Sequence, residues 1–223
     1  MLHHNRLHSD PVHLVYRLNG SIAAAQLTSL KQDYAAAKAA LNNQFSSADW
    51  ESGGVLYASF RQVSETIELA FFNKYEILVH KKRAGPMFLS HPAAQQVIIE
   101  SWQHIAKTKN LSLYAICVMS NHVHVIVRGN DEDCDVDLVV LMESHKKFTA
   151  TKINKLQQQK GRRVWAKDFF DRDIRKGTFT TVLWYVLRNP VQANLTENPF
   201  TYTGTWFDPR LEAEYIKPYM HQW

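Results

Sequence analysis

The stretch LSLYAICVMSNHVHVIVR, Leu111 to Arg128, decides how this chain folds. Two runs rich in β-branched and aromatic residues, 111–119 and 123–128, are separated only by a break at Ser120-Asn121. That pattern predicts a hairpin of antiparallel strands. Working outward, PVHLVYR (residues 11–17) lies in a strand over 12–18 that ends at the turn Asn19-Gly20. The Ala-rich segment 22–43 predicts a helix, 44–60 a loop, and 61–82 a second helix stopped by Gly85-Pro86. Ser90 is the expected cap of a third helix over 91–108, with Val97, Ile98, Trp102 and Ile105 at helical spacing. Asp133, Asp135 and Asp137 suit the positive N-terminus of a helix from Leu138 to about Gln158, which Gly161 breaks. A short strand is expected within 168–175. A last helix runs from Thr178 to Asn189, ended by Pro190. Strands and helices that do not strictly alternate point to an α+β fold, an antiparallel sheet with helices over one face.

The composition excludes several classes. The chain has 223 residues, 45% hydrophobic and 21% charged, a balance that supports a globular core of about one domain. No apolar run is long enough to span a membrane, and MLHHNRLHSD lacks the apolar centre of a signal peptide. With only Cys117 and Cys134, a disulfide scaffold or a cysteine zinc site is not expected; reduced thiols fit a cytoplasmic protein. The formal charge is +5. Residues 144–167 hold no acid and eight bases, among them Lys146, Lys147, Lys152, Lys155, Arg162 and Arg163. Such a block is either a solvated helix face or a phosphate-binding surface.

Two residue pairs could carry chemistry. His122 and His124 stand at i and i+2 in a strand, so their imidazoles share a face. Two such rings can chelate a divalent cation and leave positions open for substrate oxygens; two histidines on a solvated strand face are the plainer reading. Tyr185 and Asn189 stand at i and i+4 of the last helix, also on one face. A tyrosine hydroxyl can attack phosphorus and an amide oxygen can join a metal, although a core tyrosine and a helix-ending asparagine fit the same letters. No Walker-type loop, no G-x-G-x-x-G and no H-E-x-x-H occurs, so nucleotide hydrolysis and zincin proteolysis lack their usual marks.

The run Val118 to Val127 resembles the HUH signature of single-tyrosine transposases, and in particular the REP-associated tyrosine transposases. That branch usually reads Met-Pro-Asn-His-Val-His, so Ser120 departs from its proline. Tyr185 to Ala193 (YVLRNPVQA) resembles its tyrosine helix, with Asn194 where glycine is frequent. Ser144 to Ala150, Trp165, Phe169 to Arg172 and Tyr16 to Ser21 are similar to the stretches around them. Residues 23–69 and 201–223 match weakly or not at all. The resemblance implies a ferredoxin-like HUH domain over residues 1–200, with a helical insertion at about 23–85 and a C-terminal tail at 201–223. It implies Mg²⁺ or Mn²⁺ held by His122, His124 and Asn189, and a nucleophilic Tyr185 that forms a 5′-phosphotyrosine link to single-stranded DNA at hairpins. Lys146, Lys147, Lys152, Lys155, Arg162 and Arg163 would then contact phosphates. Monomer and homodimer both remain open. A hairpin-binding protein that does not cut, and a phosphodiesterase using water, are the alternatives.

Overall fold

The computed structural model describes residues 6–45, 55–80, 85–130, 134 and 136–222. The chain divides into two compact units, residues 22–85 and residues 1–21 with 86–223.

The first is a pair of helices, α1 (Ala24–Gln44) and α2 (Val55–His80). Tyr34 packs on Phe71 with ring centroids 4.6 Å apart, and Lys38 Nζ donates to Ser64 and pairs with Glu68 at 2.7 Å. The second helix begins at Val55, ahead of the expected residue 61: VLYASF holds no glycine or proline to interrupt it. The Ser-Ser and Gly53-Gly54 break lies outside the described residues.

The second unit carries the sheet. Its elements are β1 (Arg6–Leu7), β2 (Val12–Arg17), α3 (Pro92–Thr108), β3 (Leu111–Val118), β4 (His122–Gly129), β5 (Val136–Asp137), α4 (Leu138–Leu156), β6 (Phe170–Asp173), α5 (Phe179–Gln192) and β7 (Thr205–Phe207). Five strands form one antiparallel sheet in the order β6-β2-β4-β3-β7. Its first four follow the ferredoxin-like arrangement that the family resemblance implied. Residues 201–223, read as a tail, supply the edge strand β7.

Residue alternation sorts the strands onto two faces. Leu14, Tyr16, Val123 and Val125 face α3 and α4, where Ile98, Trp102 and Met142 fill the larger core. Ala115, Cys117 and Ile126 face α5 and meet Leu183, Trp184 and Leu187. A register shift between Leu113 and Ala115 re-aims β3 so that Ala115 and Cys117 reach that second core. Helices therefore cover both faces, not one: α5 has its own apolar stripe and buries it against the face left open by α3 and α4.

Two helix ends differ from expectation. His91, not Ser90, caps α3, because Pro92 occupies the first helical position; His91 Nδ1 accepts from Ala93 N at 3.2 Å while Ser90 Oγ donates to the Met87 carbonyl. α5 runs through Pro190 to Gln192. Proline this close to the end forfeits a single internal bond, and the backbone closes instead through Leu195 N to Pro190 O, with Asn194 at φ 55° as the left-handed stop. The helix expected from Leu138 does form, and Asp137 caps it by accepting from Val139 N and Val140 N.

Candidate active site

The α5-facing side of the sheet gathers the chemistry. The antiparallel register puts Arg17 directly opposite His122, Val15 opposite His124 and His13 opposite Ile126 on one side, and Cys117 opposite His124 on the other. All these side chains point toward α5. His122 and His124 are buried, 1% and 0% exposed, and their Nε2 atoms converge to 2.9 Å. His122 Nδ1 donates to Asn121 Oδ1 at 2.7 Å, which leaves its Nε2 with a lone pair. From α5, Tyr185 is half-buried and sets its ring edge-on to His124, with centroids 5.8 Å apart.

Asn189 lies one turn further along the same helix face and is fully buried. Its Nδ2 donates to the Tyr185 carbonyl at 2.9 Å, while its Oδ1 has no hydrogen-bond partner. A buried amide oxygen without a donor costs on the order of 1–3 kcal/mol unless something electropositive meets it. The donor set suits a divalent cation: two adjacent ligands of an octahedral ion at about 2.1 Å stand about 3 Å apart, close to the observed separation of the two Nε2 atoms. The two imidazoles therefore fit a divalent cation, and the Asn189 amide oxygen has the chemistry to join them.

Three further residues of this face escaped the sequence reading. His13 is buried, its Nε2 lies 3.1 Å from His124 Nδ1, and its ring stands 6.0 Å from that of Tyr185. Burial, followed by the charge of Arg172, lowers its pKa to about 3, so it is neutral. Arg17 is buried and holds Asp168 only loosely, at 3.4 Å; its Nε has no partner. Arg172 stands directly opposite His13 on β6. The signal existed: in the strand 12–18, alternation puts His13 and Arg17 on one face. Burial pushes the Cys117 thiol far above its ordinary range, so it packs as a neutral thiol against Met119 Sδ and offers no thiolate.

The basic block divides. Lys147, Lys152, Lys155 and Arg163 are exposed. Lys146 is not available to a phosphate as expected: its Nζ is buried and donates to the carbonyls of Ala166, Lys167 and Asp168, and burial lowers its pKa to about 8. Arg162 is spent on Asn154 and Gln157 and lies over the Phe88 ring. Moreover α4 packs on the face away from the histidines, so the lysines and the His-Tyr cluster are not brought together.

Residues 73–189, just over half of the chain, match the transposase family described as IS200-like. The matched segment contains His122, His124 and Tyr185 and ends on Asn189. The chain belongs to the IS200-like transposase family. It is accordingly a transposase, an enzyme that acts on DNA. No curated protein matches its sequence. Among solved structures it is similar to a REP-associated tyrosine transposase bound to a REP hairpin, at 11% identity and a TM-score of 0.45, covering 92% of this chain and 81% of the other. Among the described residues, no helix of this transposase is long and apolar enough to cross a membrane.

Proposed function

We propose that this transposase cuts and rejoins single-stranded DNA at hairpins, with Tyr185 as nucleophile and His122, His124 and Asn189 as the holders of Mg²⁺ or Mn²⁺. The observation that carries the reading is the pairing of Tyr185, edge-on to His124, with the partnerless Oδ1 of Asn189 one turn away. A bound divalent cation would draw charge from the scissile phosphate. The tyrosine oxygen attacks phosphorus and gives up its proton; the bond from phosphorus to the 3′ oxygen breaks, and that oxygen leaves as a 3′-hydroxyl. The product is a 5′-phosphotyrosine link. A 3′-hydroxyl can then attack the same phosphorus and release Tyr185, so bond energy is conserved and no nucleotide is consumed. Arg17 and Arg172 give this face the positive charge that a phosphodiester requires. Exposed Lys147, Lys152, Lys155 and Arg163 are suited to backbone contacts along a hairpin stem. Hairpin substrates follow from the resemblance of the HUH and tyrosine-helix segments to the REP-associated branch.

The test mixes the purified protein and Mg²⁺ or Mn²⁺ with labelled single-stranded hairpins from its own genomic neighbourhood. A protein-linked DNA band on a denaturing gel is expected from wild type and absent from Tyr185→Phe and His122→Ala. Free cleaved DNA that survives Tyr185→Phe would replace this reading with a phosphodiesterase using water. Binding with no cleavage would replace it with a hairpin-binding module.

A further inference from the structure

A third histidine completes the pair. His13 Nε2 lies 3.1 Å from His124 Nδ1, the ring nitrogen of His124 opposite the one that meets His122. The two rings are nearly parallel, 19° apart, with centroids separated by 5.3 Å. That separation is close to the bond length plus the two ring radii, so the rings meet edge to edge, in line, and do not stack face to face. All three histidines are buried. His13 also lies outside the matched family segment, 73–189.

With the three rings neutral and Asn121 Oδ1 facing His122, the hydrogen positions in this network follow from one another. A neutral imidazole carries one N–H and one lone pair. His122 spends its N–H on Asn121 Oδ1, so its Nε2 can only accept. The 2.9 Å contact therefore needs a hydrogen on His124 Nε2. His124 Nδ1 is then an acceptor, and the bond from His13 needs a hydrogen on His13 Nε2. In this arrangement His124 presents N–H, and no lone pair, to the position between the two Nε2 atoms.

We infer that His13 is the positioning residue that lets His124 become a metal ligand, by exchanging tautomers with it. For His124 to offer a lone pair at Nε2, its hydrogen must sit on Nδ1. His13 Nε2 must then accept that hydrogen, with the His13 hydrogen moved to its own Nδ1. Each ring keeps one hydrogen, so nothing is gained or lost. Only a side chain able both to donate and to accept at this point serves both states. Ligating histidines are commonly held by such an outer partner, and its loss typically weakens metal binding by about 10–100-fold. The inference rests on the metal reading of the His122–His124 pair.

The experiment measures Mn²⁺ binding to the full chain without DNA, by calorimetry or electron paramagnetic resonance. Wild type should bind, and His122→Ala with His124→Ala should not. His13→Leu should bind about 10–100-fold more weakly. His13→Gln, which can donate and accept, should recover most of the loss. In parallel, ¹⁵N spectra of wild-type histidine side chains should show the hydrogen on Nε2 of His13 and His124 without metal and on Nδ1 of both with Zn²⁺ as a diamagnetic probe. That second measurement needs no variant and so decides the matter even if His13→Leu does not fold. Histidine-dependent Mn²⁺ binding with no change of tautomer at His13, or with full affinity in a folded His13→Leu, would overturn the role of His13 and leave the metal site standing. Absence of histidine-dependent binding in wild type would overturn both.

Discussion

Each face of the sheet carries a histidine network, and the two differ in how far their neighbours fix the hydrogen positions. On the helix-packed face, Trp102 Nε1 donates to Tyr16 Oη at 3.0 Å, Tyr16 donates to His145 Nε2 at 2.7 Å, and His145 Nδ1 donates to Ser101 Oγ at 2.9 Å. Each ring atom there has a role that its neighbours dictate. On the α5 face, the chain His13–His124–His122–Asn121 can run in either of two hydrogen arrangements, and Asn189 of α5 has a buried oxygen with no donor. A closed network rigidifies a core. The other leaves its direction to the orientation of the Asn121 amide, and the cation proposed above would bind there. The presence of histidine therefore distinguishes nothing; the fixity of its hydrogen positions does.

The comparison breaks most sharply at its two tyrosines. Tyr185→Phe should lower formation of the DNA-linked product on the order of a thousandfold or more, while the denaturant midpoint stays near wild type. Tyr16→Phe should do the reverse. It strips an acceptor from Trp102 and a donor from His145, both buried, and should cost about 2–4 kcal/mol of stability with the reaction per folded molecule unchanged. Urea unfolding and the denaturing gel, run on both variants, check the pair. Comparable losses of stability in both would erase the distinction between the faces.

Acid should find the closed network next. Burial, followed by the neighbouring charge of Lys146, lowers His145 to about 3 from an ordinary 6.5. The unfolded chain takes up a proton there below about pH 6.5, and the folded chain does so only near pH 3. The stability that neutral His145 contributes is complete above pH 6.5 and lost as pH falls toward 3. His145→Gln can keep both hydrogen bonds but cannot titrate. Between pH 6 and 4, wild-type stability should fall more steeply than the variant's, by up to about 1.4 kcal/mol per pH unit. Parallel slopes in urea titrations across that window would show His145 already charged in the folded chain.

Periodicity made the hairpin, its neighbouring strand and the helices legible, because a buried strand and an amphipathic helix each write their spacing into the letters. His122 with His124, and Tyr185 with Asn189, were legible for the same reason: i, i+2 in a strand and i, i+4 in a helix fix a shared face. What joins those pairs is strand register, which no local pattern encodes. His13 meets His124 across 111 residues only because β2 lies beside β4. The covering of the second face was hidden as well, since an apolar stripe on α5 does not say which layer it meets. Lys146 and Arg162 misled for a related reason. A run of bases reads as uniformly solvated, but the helix turns Lys146 inward, where the carbonyls of residues 166–168 receive it.

The smallest predicted effect is the most pointed, because it should have opposite signs in two measurements. Asn189→Leu keeps the number and branching of the side-chain heavy atoms. It removes the Nδ2 bond to the Tyr185 carbonyl, which is worth about 1 kcal/mol, and it also removes the partnerless Oδ1, whose burial costs about 1–3 kcal/mol. The balance favours a protein as stable as wild type or more so, by up to about 2 kcal/mol. If that oxygen exists for a cation, Mn²⁺ affinity measured by calorimetry should drop by about tenfold or more in the same variant. A residue kept for packing would lose stability when replaced, and a residue kept for binding would release it. Asn189→Leu with reduced stability and unaltered Mn²⁺ affinity would move Asn189 to the structural side of the comparison.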